Sequence, residues 1–394
     1  MITDAELRAE AGAFLAANAV PRRAAEARWG EGSDRVGLFR ESTAEEDRRE
    51  LAEAKAWRAR CDDAGFGWLS GPVEYGGRGL PRSFERVWAE LEGGYEVPTG
   101  ANLFLVGLGM VAPTVLAHGT EEAKQRYLRA LWRGDLVGCQ LFSEPGAGSD
   151  LAAVATKAVR DGDEWVVSGQ KVWTSGAHYS DLGLLLTRTS ADGDDRHHGL
   201  TMFLLDMHAS GIDVRPLRQM TGGTSFNEVF LTDVRVSDWH RLGEVDAGWR
   251  VALTTLMNER AAIGRGSASS GFSITRRLFE LARHTGRSDD PVVRQQLAQL
   301  WIRSQITRYS RLRARHDPGP VHSIAKLFLT QTQSLMVDIA TAVAGPKLAA
   351  DTGEWGSYAW AEFVLGAPSG RIGGGTDEIQ KNILAERVLG LPRQ

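Results

Sequence analysis

Two stretches of this 394-residue chain combine residue types that can bind and react. The first, CQLFSEPGAGSDLAAVATKAVRDGDEWVVSGQKVWTSG (139–176), joins a loop of Pro145, glycines, hydroxyls and carboxylates to a strand pair carrying GQKVWTSG. Such a loop can present backbone N–H groups and the Ser143, Ser149 and Ser175 hydroxyls to a polar heterocycle, with Trp173 covering an apolar face of it. The second, RIGGGTDEIQ (371–380), sets three glycines in front of a helix start. Thr376 can cap that helix, and Asp377 and Glu378 fall in its first turn, where carboxylates complement the positive end of the dipole. Gly373, Gly374 and Gly375 either let a ligand approach backbone N–H groups or serve a tight turn. Taken alone, the stretch reads better as the turn.

Other motifs are instructive by failing. GLG at 107–109 and GRGSASSG at 264–271 are glycine-rich, but neither follows a strand within a βαβ unit, so no dinucleotide fingerprint is supported. There is no GxxxxGK[ST], GxSxG or HExxH, and the common hydrolase and phosphotransferase chemistries lack their groups. Cys61 and Cys139 lie far apart without CxxC spacing, which reads as two small hydrophobes in a reducing compartment. His197 and His198 sit in the polar connection SADGDDRHHG without further ligands at a plausible spacing, so no metal is expected. A net charge of −4 gives no footprint for a polyanionic partner. The N-terminus has acidic residues close to its start and no apolar h-region, and no apolar run approaches the roughly 20 residues that span a bilayer. A soluble, cytoplasmic protein is the expectation.

The elements that must position these residues change period twice. Residues 1–135 read as helical: Thr3/Glu6 and Thr43/Glu46 have capping-box spacing, and Phe84, Val87, Trp88 and Leu91 fall on one helix face. Between 136 and 245 the runs EWVVSGQKVW, LGLLLTR, GLTMFLLD, IDVRPL and NEVFLTDVRV, divided by Gly, Asp and Ser clusters, read as strands of an all-β unit. From 246 to 394 long helices return. Asp290 as N-cap with Pro291 behind it opens one, and a second carries Ile324, Leu327, Phe328, Leu335 and Ile339 to Gly345. The fold class is therefore α+β multidomain: an N-terminal helical domain, a middle β-barrel or sandwich, and a C-terminal helical bundle large enough to offer an apolar face to a partner subunit.

Across essentially its whole length the chain resembles the acyl-CoA dehydrogenase flavoproteins. The likeness is carried by GPVEYGGRGLP, LFSEPGAGSD, GQKVWTSG, FNEVFLTDVRV with Gly248-Trp249, and GGGTDEIQKNILAERVLGLPR. It implies an FAD held in extended form between the domains of a homodimer or homotetramer. By position, Gln140, Phe142 and Ser143 match residues that meet the isoalloxazine edge, and Trp173 and Ser175 match residues against the ring and near N5 or the ribityl chain. Thr376 and Glu378 match positions near the pyrophosphate and ribose. Arg283 resembles the arginine that reaches the pyrophosphate of the neighbouring subunit's FAD, although HTGR replaces the phenylalanine and glycine that usually follow. Ser237 stands where relatives commonly have proline.

The family removes an α-proton from an acyl thioester while a hydride leaves the β-carbon for flavin N5. The base in many members is a glutamate directly before the GT of the C-terminal motif, and here that position is Gly374. Other members keep the base in a Glu-Arg pair on a bundle helix, which Glu259 and Arg260 of TLMNERAAIGRG match. On that resemblance Glu259 is the base, against the plainer reading of a solvated helix carboxylate. Gly374 becomes an oxyanion N–H donor, and Arg260 with Ser149 positions the thioester or CoA arm. The implied substrate is an acyl-CoA or carrier-bound acyl thioester, in lipid metabolism, with an electron-transfer flavoprotein as acceptor. A flavin-dependent monooxygenase on the same fold and an FAD-binding non-catalytic subunit of a heteromeric complex are the alternatives.

Overall fold

The helices begin where the sequence supplies caps. In helices α1 (Asp4–Asn18) and α2 (Ala44–Asp63) the N-cap threonine and the glutamate three residues on satisfy each other's backbone N–H groups, so the Thr3/Glu6 and Thr43/Glu46 capping boxes are both formed. The computed structural model describes residues 2–22, 29–38, 42–190, 195–314 and 321–392, with backbone alone at 261, 263–273, 311, 314 and 321. Short strands β1 (Val20–Pro21) and β2 (Tyr95–Glu96) pair around α3 (Ser83–Glu92), and α4 (Ala112–His118) and α5 (Glu121–Arg133) follow. The GLG at 107–109 forms a π-helical turn in which Gly107 packs against the Gly138 backbone, which explains its glycines without a nucleotide.

The middle of the chain forms a mixed sheet from β3 (Gly138–Leu141), β4 (Lys157–Asp161), β5 (Glu164–Ser175), β6 (Leu182–Arg188), β7 (Leu200–Asp206), β8 (Ile212–Leu217), β9 (Phe226–Ser237) and β10 (Arg241–Leu242). Its order is β10-β7-β6-β4-β5-β9-β8, with β3 parallel to β6 off that path and most other pairings antiparallel. Strands β6 and β7 are buried on both faces. Leu184 and Leu186 join a core with Val111, Val115 and Leu128 of the helical segment, while Leu185 and Phe203 point the other way, toward Trp165, Val167 and Val229. That is why these two strands read as continuous apolar runs, whereas β8, half exposed, alternates. Ser237, where a proline is common, has φ −67°, a value proline also adopts, so the departure is conformationally silent.

The 37-residue α6 (Gly248–His284) carries the GRGSASSG stretch, whose side chains lie outside the described residues. It is followed by α7 (Pro291–Ala314), α8 (Val321–Ala344), α9 (Trp360–Gly370) and α10 (Asp377–Arg387). Asp290 caps α7, accepting from the N–H groups of Val292 and Val293. The chain divides into two compact units, one of residues 1–25, 42–218 and 224–258, the other of residues 26–41, 219–223 and 259–394, with the boundary inside α6. In the second unit Leu281, Leu300, Ile339, Trp360 and Phe363 form the core, and Val36 from the N-terminal segment is buried with them. None of the described helices is long and apolar enough to cross a membrane.

Candidate functional site

The SEPGAGSD loop is built around a charge that it hides. Glu144 and Ala147 exchange backbone hydrogen bonds of 2.9 and 3.0 Å, closing a tight turn. The Glu144 carboxylate points inward and accepts from the N–H groups of Ala155 (2.6 Å) and Thr156 (2.9 Å) and from Lys171 Nζ (2.7 Å). Lys171 is 0% exposed and also donates to the Phe142 carbonyl at 3.1 Å. Burial by itself raises the Glu144 carboxyl, but the Lys171 charge and the donated hydrogen bonds hold it below its ordinary value, and it stays ionised. One ion pair thus fixes the backbone of Phe142 and Ser143 against β5, to which Ser143 also accepts from the Val172 N–H.

Beyond Lys171 the strand bulges. Val172 and Trp173 of β5 lie opposite the single residue Glu228 of β9, between the pairs Lys171/Val229 and Thr174/Asn227. Trp173 takes φ 59°, a left-handed conformation that costs a non-glycine residue about 1–2 kcal/mol. The strain re-aims its indole out of the sheet: the side chain is 60% exposed, edge-on to Phe226 at 5.9 Å. Ser175 is exposed at the strand end. Buried beside this surface, Gln140 Oε1 and Thr174 Oγ1 have no hydrogen-bond partner among the described residues. The chain then turns through Gly176 to His178, whose ring meets Asn227 Oδ1 at 3.0 Å and Asp47 of α2 at 3.2 Å, so the bulge is anchored to the helical segment. Ser149 lies exposed on the loop.

In the second unit, Thr376 is the N-cap of α10, accepting from the Ile379 N–H at 3.1 Å, and Glu378 is exposed in the first turn. The glycines before it do form a turn. Gly374 and Gly375 have φ 67° and 82°, and a Cβ on Gly375 would lie 2.7 Å from Gln380 Nε2, so both positions require glycine. The Gly373 N–H is taken by the Ser369 carbonyl, whereas the Gly374 N–H has no acceptor among the described residues. Asp377 is buried rather than facing solvent. It accepts from Arg371 (2.8 Å) and Thr330 (2.8 Å), and these bonds hold its carboxyl low against the opposing effect of burial. Lys326 of α8 donates to the carbonyls of Gly370 and Gly373, the latter at 2.8 Å. Burial lowers Lys326, and the charges of Asp377 and Glu259 oppose that. Glu259 and Arg260 are half-buried. Burial also lowers Arg260, with Glu259 opposing and Arg387 reinforcing. Arg283 is exposed in the last turn of α6.

The structure therefore brings Gln140, Phe142, Ser143, Trp173 and Ser175 together around one bulge, and Glu259, Arg260, Gly374 and Thr376 into the unit that holds the glycine turn. Sequence reasoning missed Glu144, Lys171, His178, Asn227, Asp47 and Lys326. For Lys171 a signal existed: it stands in an inward position of a strand, where an unpaired charge is not tolerated. Both cysteines are buried and free, and burial pushes their thiols up to about 12, so they are inert packing groups. His197 bonds Asp195 and lies against Trp249, and no metal-binding group of three or more ligands exists among the described residues. In the first unit, an exposed indole held in a strained conformation and two orphaned buried oxygens beside it fit a flat heterocycle with polar edges, as an FAD has.

Comparison with known proteins agrees with that chemistry. The chain matches the acyl-CoA dehydrogenase N-terminal domain over residues 39–135, the middle domain over 139–234 and the C-terminal domain over 246–389. It is 38% identical over 87% of its length to "Acyl-CoA dehydrogenase IpdE1" of Mycobacterium tuberculosis, of which the match spans 89%. It is 37% identical over 100% of its length to the protein of that name from Mycolicibacterium smegmatis, 99% of which is covered. Among solved structures, the "ChsE4-ChsE5 complex from Mycobacterium tuberculosis" superposes with a TM-score of 0.74 at 28% identity, over 100% of this chain and 99% of that one. The "Tcur3481-Tcur3483 steroid ACAD" does so with a TM-score of 0.75 at 26%, over 99% and 98%.

Proposed function

The chain belongs to the acyl-CoA dehydrogenase family, FAD-dependent oxidoreductases, and from that premise we propose that it introduces an α,β-double bond into an acyl thioester with Glu259 as the base. The reading of Glu259 is supported by its half-buried place in the unit that holds the glycine turn, where its charge opposes the lowering of Lys326, the lysine bonded to the two carbonyls of the turn that presents Gly374. Side chain and glycine turn thus share one neighbourhood of one unit. Gly374 has no side chain to compete for the α-proton, which leaves that task to a carboxylate arriving from α6.

In this reading the thioester carbonyl accepts from the Gly374 N–H, a donor fixed by the turn before the reaction begins. Enolate charge develops at that oxygen as the α-proton departs, so the bond strengthens toward the transition state. Glu259, half-buried, receives the proton, and Arg260 and Ser149 hold the thioester or CoA arm. What FAD supplies when bound is an acceptor for the hydride leaving the β-carbon. Trp173, Ser175, Gln140, Phe142 and Ser143 hold its ring, and Thr376, Glu378 and Arg283 address its ribose and phosphates, where a helix N-terminus is a suitable neighbour. Trp173→Gly tests the first set. It removes the left-handed strain and the indole together, so the FAD-free protein keeps its stability to within about 1 kcal/mol while FAD affinity falls about tenfold. Melting of the apoprotein and fluorescence titration with FAD measure the two effects.

Electrons leave, we propose, to an electron-transfer flavoprotein. The acyl group is proposed to be bulky and polycyclic, supported by the steroid acyl-CoA dehydrogenase that aligns over nearly all of both chains. Assembly with a second, related chain is proposed in preference to a homotetramer. Two structural relatives carry two-protein titles, and Trp301, Ile302, Ile306, Tyr309 and Leu312 expose an apolar side of α7. Anaerobic titration with straight-chain, branched and steroid-side-chain acyl-CoAs, for the chain alone and co-expressed with a related partner, tests all of this. Loss of flavin absorbance is expected with the polycyclic thioester. No change with any thioester, alone or with a partner, discards the dehydrogenase reading for a non-catalytic role.

A further inference from the structure

We propose that Lys326 is the positioning residue of this site, one ammonium that both locks the turn presenting the Gly374 N–H and sets the charge environment of Glu259. The inference rests on the reading of Glu259 as base. Its geometric half does not. Lys326 reaches from α8 to the carbonyls of Gly370, the last residue of α9, and Gly373, the first glycine of the turn. Both acceptors lie just before the point at which the backbone passes into the left-handed region, at Gly374. A carbonyl held at Gly373 fixes the plane of the peptide it shares with Gly374, because C=O and N–H of one peptide unit are coplanar and opposed. Fixing the Gly373 oxygen therefore fixes the direction of the Gly374 N–H. Three consecutive glycines otherwise give this segment the most backbone freedom in the chain.

The electrostatic half follows from what surrounds the ammonium. Two anions act on it. They are Asp377 of α10, which also accepts from Arg371 and Thr330, and Glu259 of α6. Arg260, on the same helix as Glu259, feels the Glu259 charge and that of Arg387 at the end of α10. The Glu259 charge thus acts on one cation of α6 and one of α8. Of these two, Lys326 is the one bonded to the turn, and through it the base is coupled to the oxyanion donor. A base in a cationic surround ionises at lower pH, and removing one of those cations moves its titration upward.

The test is Lys326→Met, close in length and without charge, against Lys326→Arg, which keeps it. In Lys326→Met the acid limb of the kcat/KM profile moves to higher pH by about one unit, roughly a tenfold loss on the limb. In the substrate-free protein, amide hydrogen exchange of the 371–376 peptide quickens. Lys326→Arg returns the limb to its wild-type position. A folded Lys326→Met with unchanged limb and unchanged exchange overturns the proposal. A merely structural lysine lowers the melting temperature without moving the limb. Should Lys326→Met fail to fold, Lys326→Gln, which keeps a donor but no charge, decides by the same limb. If Glu259→Gln proves fully active, the base assignment falls, and the exchange measurement still judges the turn independently.

Discussion

Replacing Glu259 by glutamine is expected to slow acyl-thioester-dependent flavin reduction by about 10²–10⁴-fold while FAD content and melting temperature stay at wild-type values. Glutamine matches glutamate in shape, so packing on α6 is preserved, but an amide cannot take up a proton at neutral pH. The loss therefore falls on the chemical step and appears in kcat and kcat/KM alike. A second measurement isolates the proton from the hydride. Exchange of an α-deuterium into solvent, from a thioester without a transferable β-hydrogen, should be slowed by the same factor. Full anaerobic reduction by Glu259→Gln would remove Glu259 from the mechanism and reopen the monooxygenase alternative, which needs no base.

Lys171→Met should be the most destabilising single substitution in the first unit. It leaves the Glu144 carboxylate buried with two backbone donors and no cation, a loss of about 3–5 kcal/mol. Thermal unfolding is expected to fall by roughly 10 °C. The effect reaches the cofactor, because Lys171 also holds the Phe142 carbonyl and thereby the loop edge offered to the ring. The double variant Lys171→Met with Glu144→Gln should recover a large part of the loss, since the stranded charge has gone. Additive losses in that cycle would show that the pair acts as two separate groups. The pH dependence has a definite sign. Glu144 is held below its ordinary value in the folded state, so the contribution is complete above the carboxylate's unfolded pKa and is lost as pH falls through the lower, folded one. Wild type should therefore lose stability on acidification over a range where Glu144→Gln does not.

The order helix, sheet, helix was legible in the chain because each element carried its own period and caps. Thr3, Thr43, Thr376 and Asp290 cap as their spacing with the following residues indicates. These are contacts within four residues, where local sequence and local structure coincide. The identity of the family was legible too, since SEPGAGSD, GQKVWTSG and GGGTDEIQ are contiguous stretches, on a loop, on a strand and its end, and on a turn entering helix α10.

What the chain did not disclose were relations between residues far apart. Lys171 and Glu144 are 27 residues apart, and nothing in either stretch names the other as its partner; the parallel seating of β3 beside β6 and the antiparallel course of β5 bury them together. The left-handed Trp173 was invisible because a bulge is set by register against β9, not by the residues of β5. Lys326 carries no mark of its role in the run of residues around it; the packing of α8 against the 370–375 turn gives its ammonium two carbonyls. Sequence by itself determined the elements, the family and the glycine run. Tertiary structure decided which charges are buried, which N–H at the glycine turn is left without an acceptor among the described residues and which ammonium is bonded to that turn, because burial and long-range pairing are properties of the packed chain and not of any segment of it.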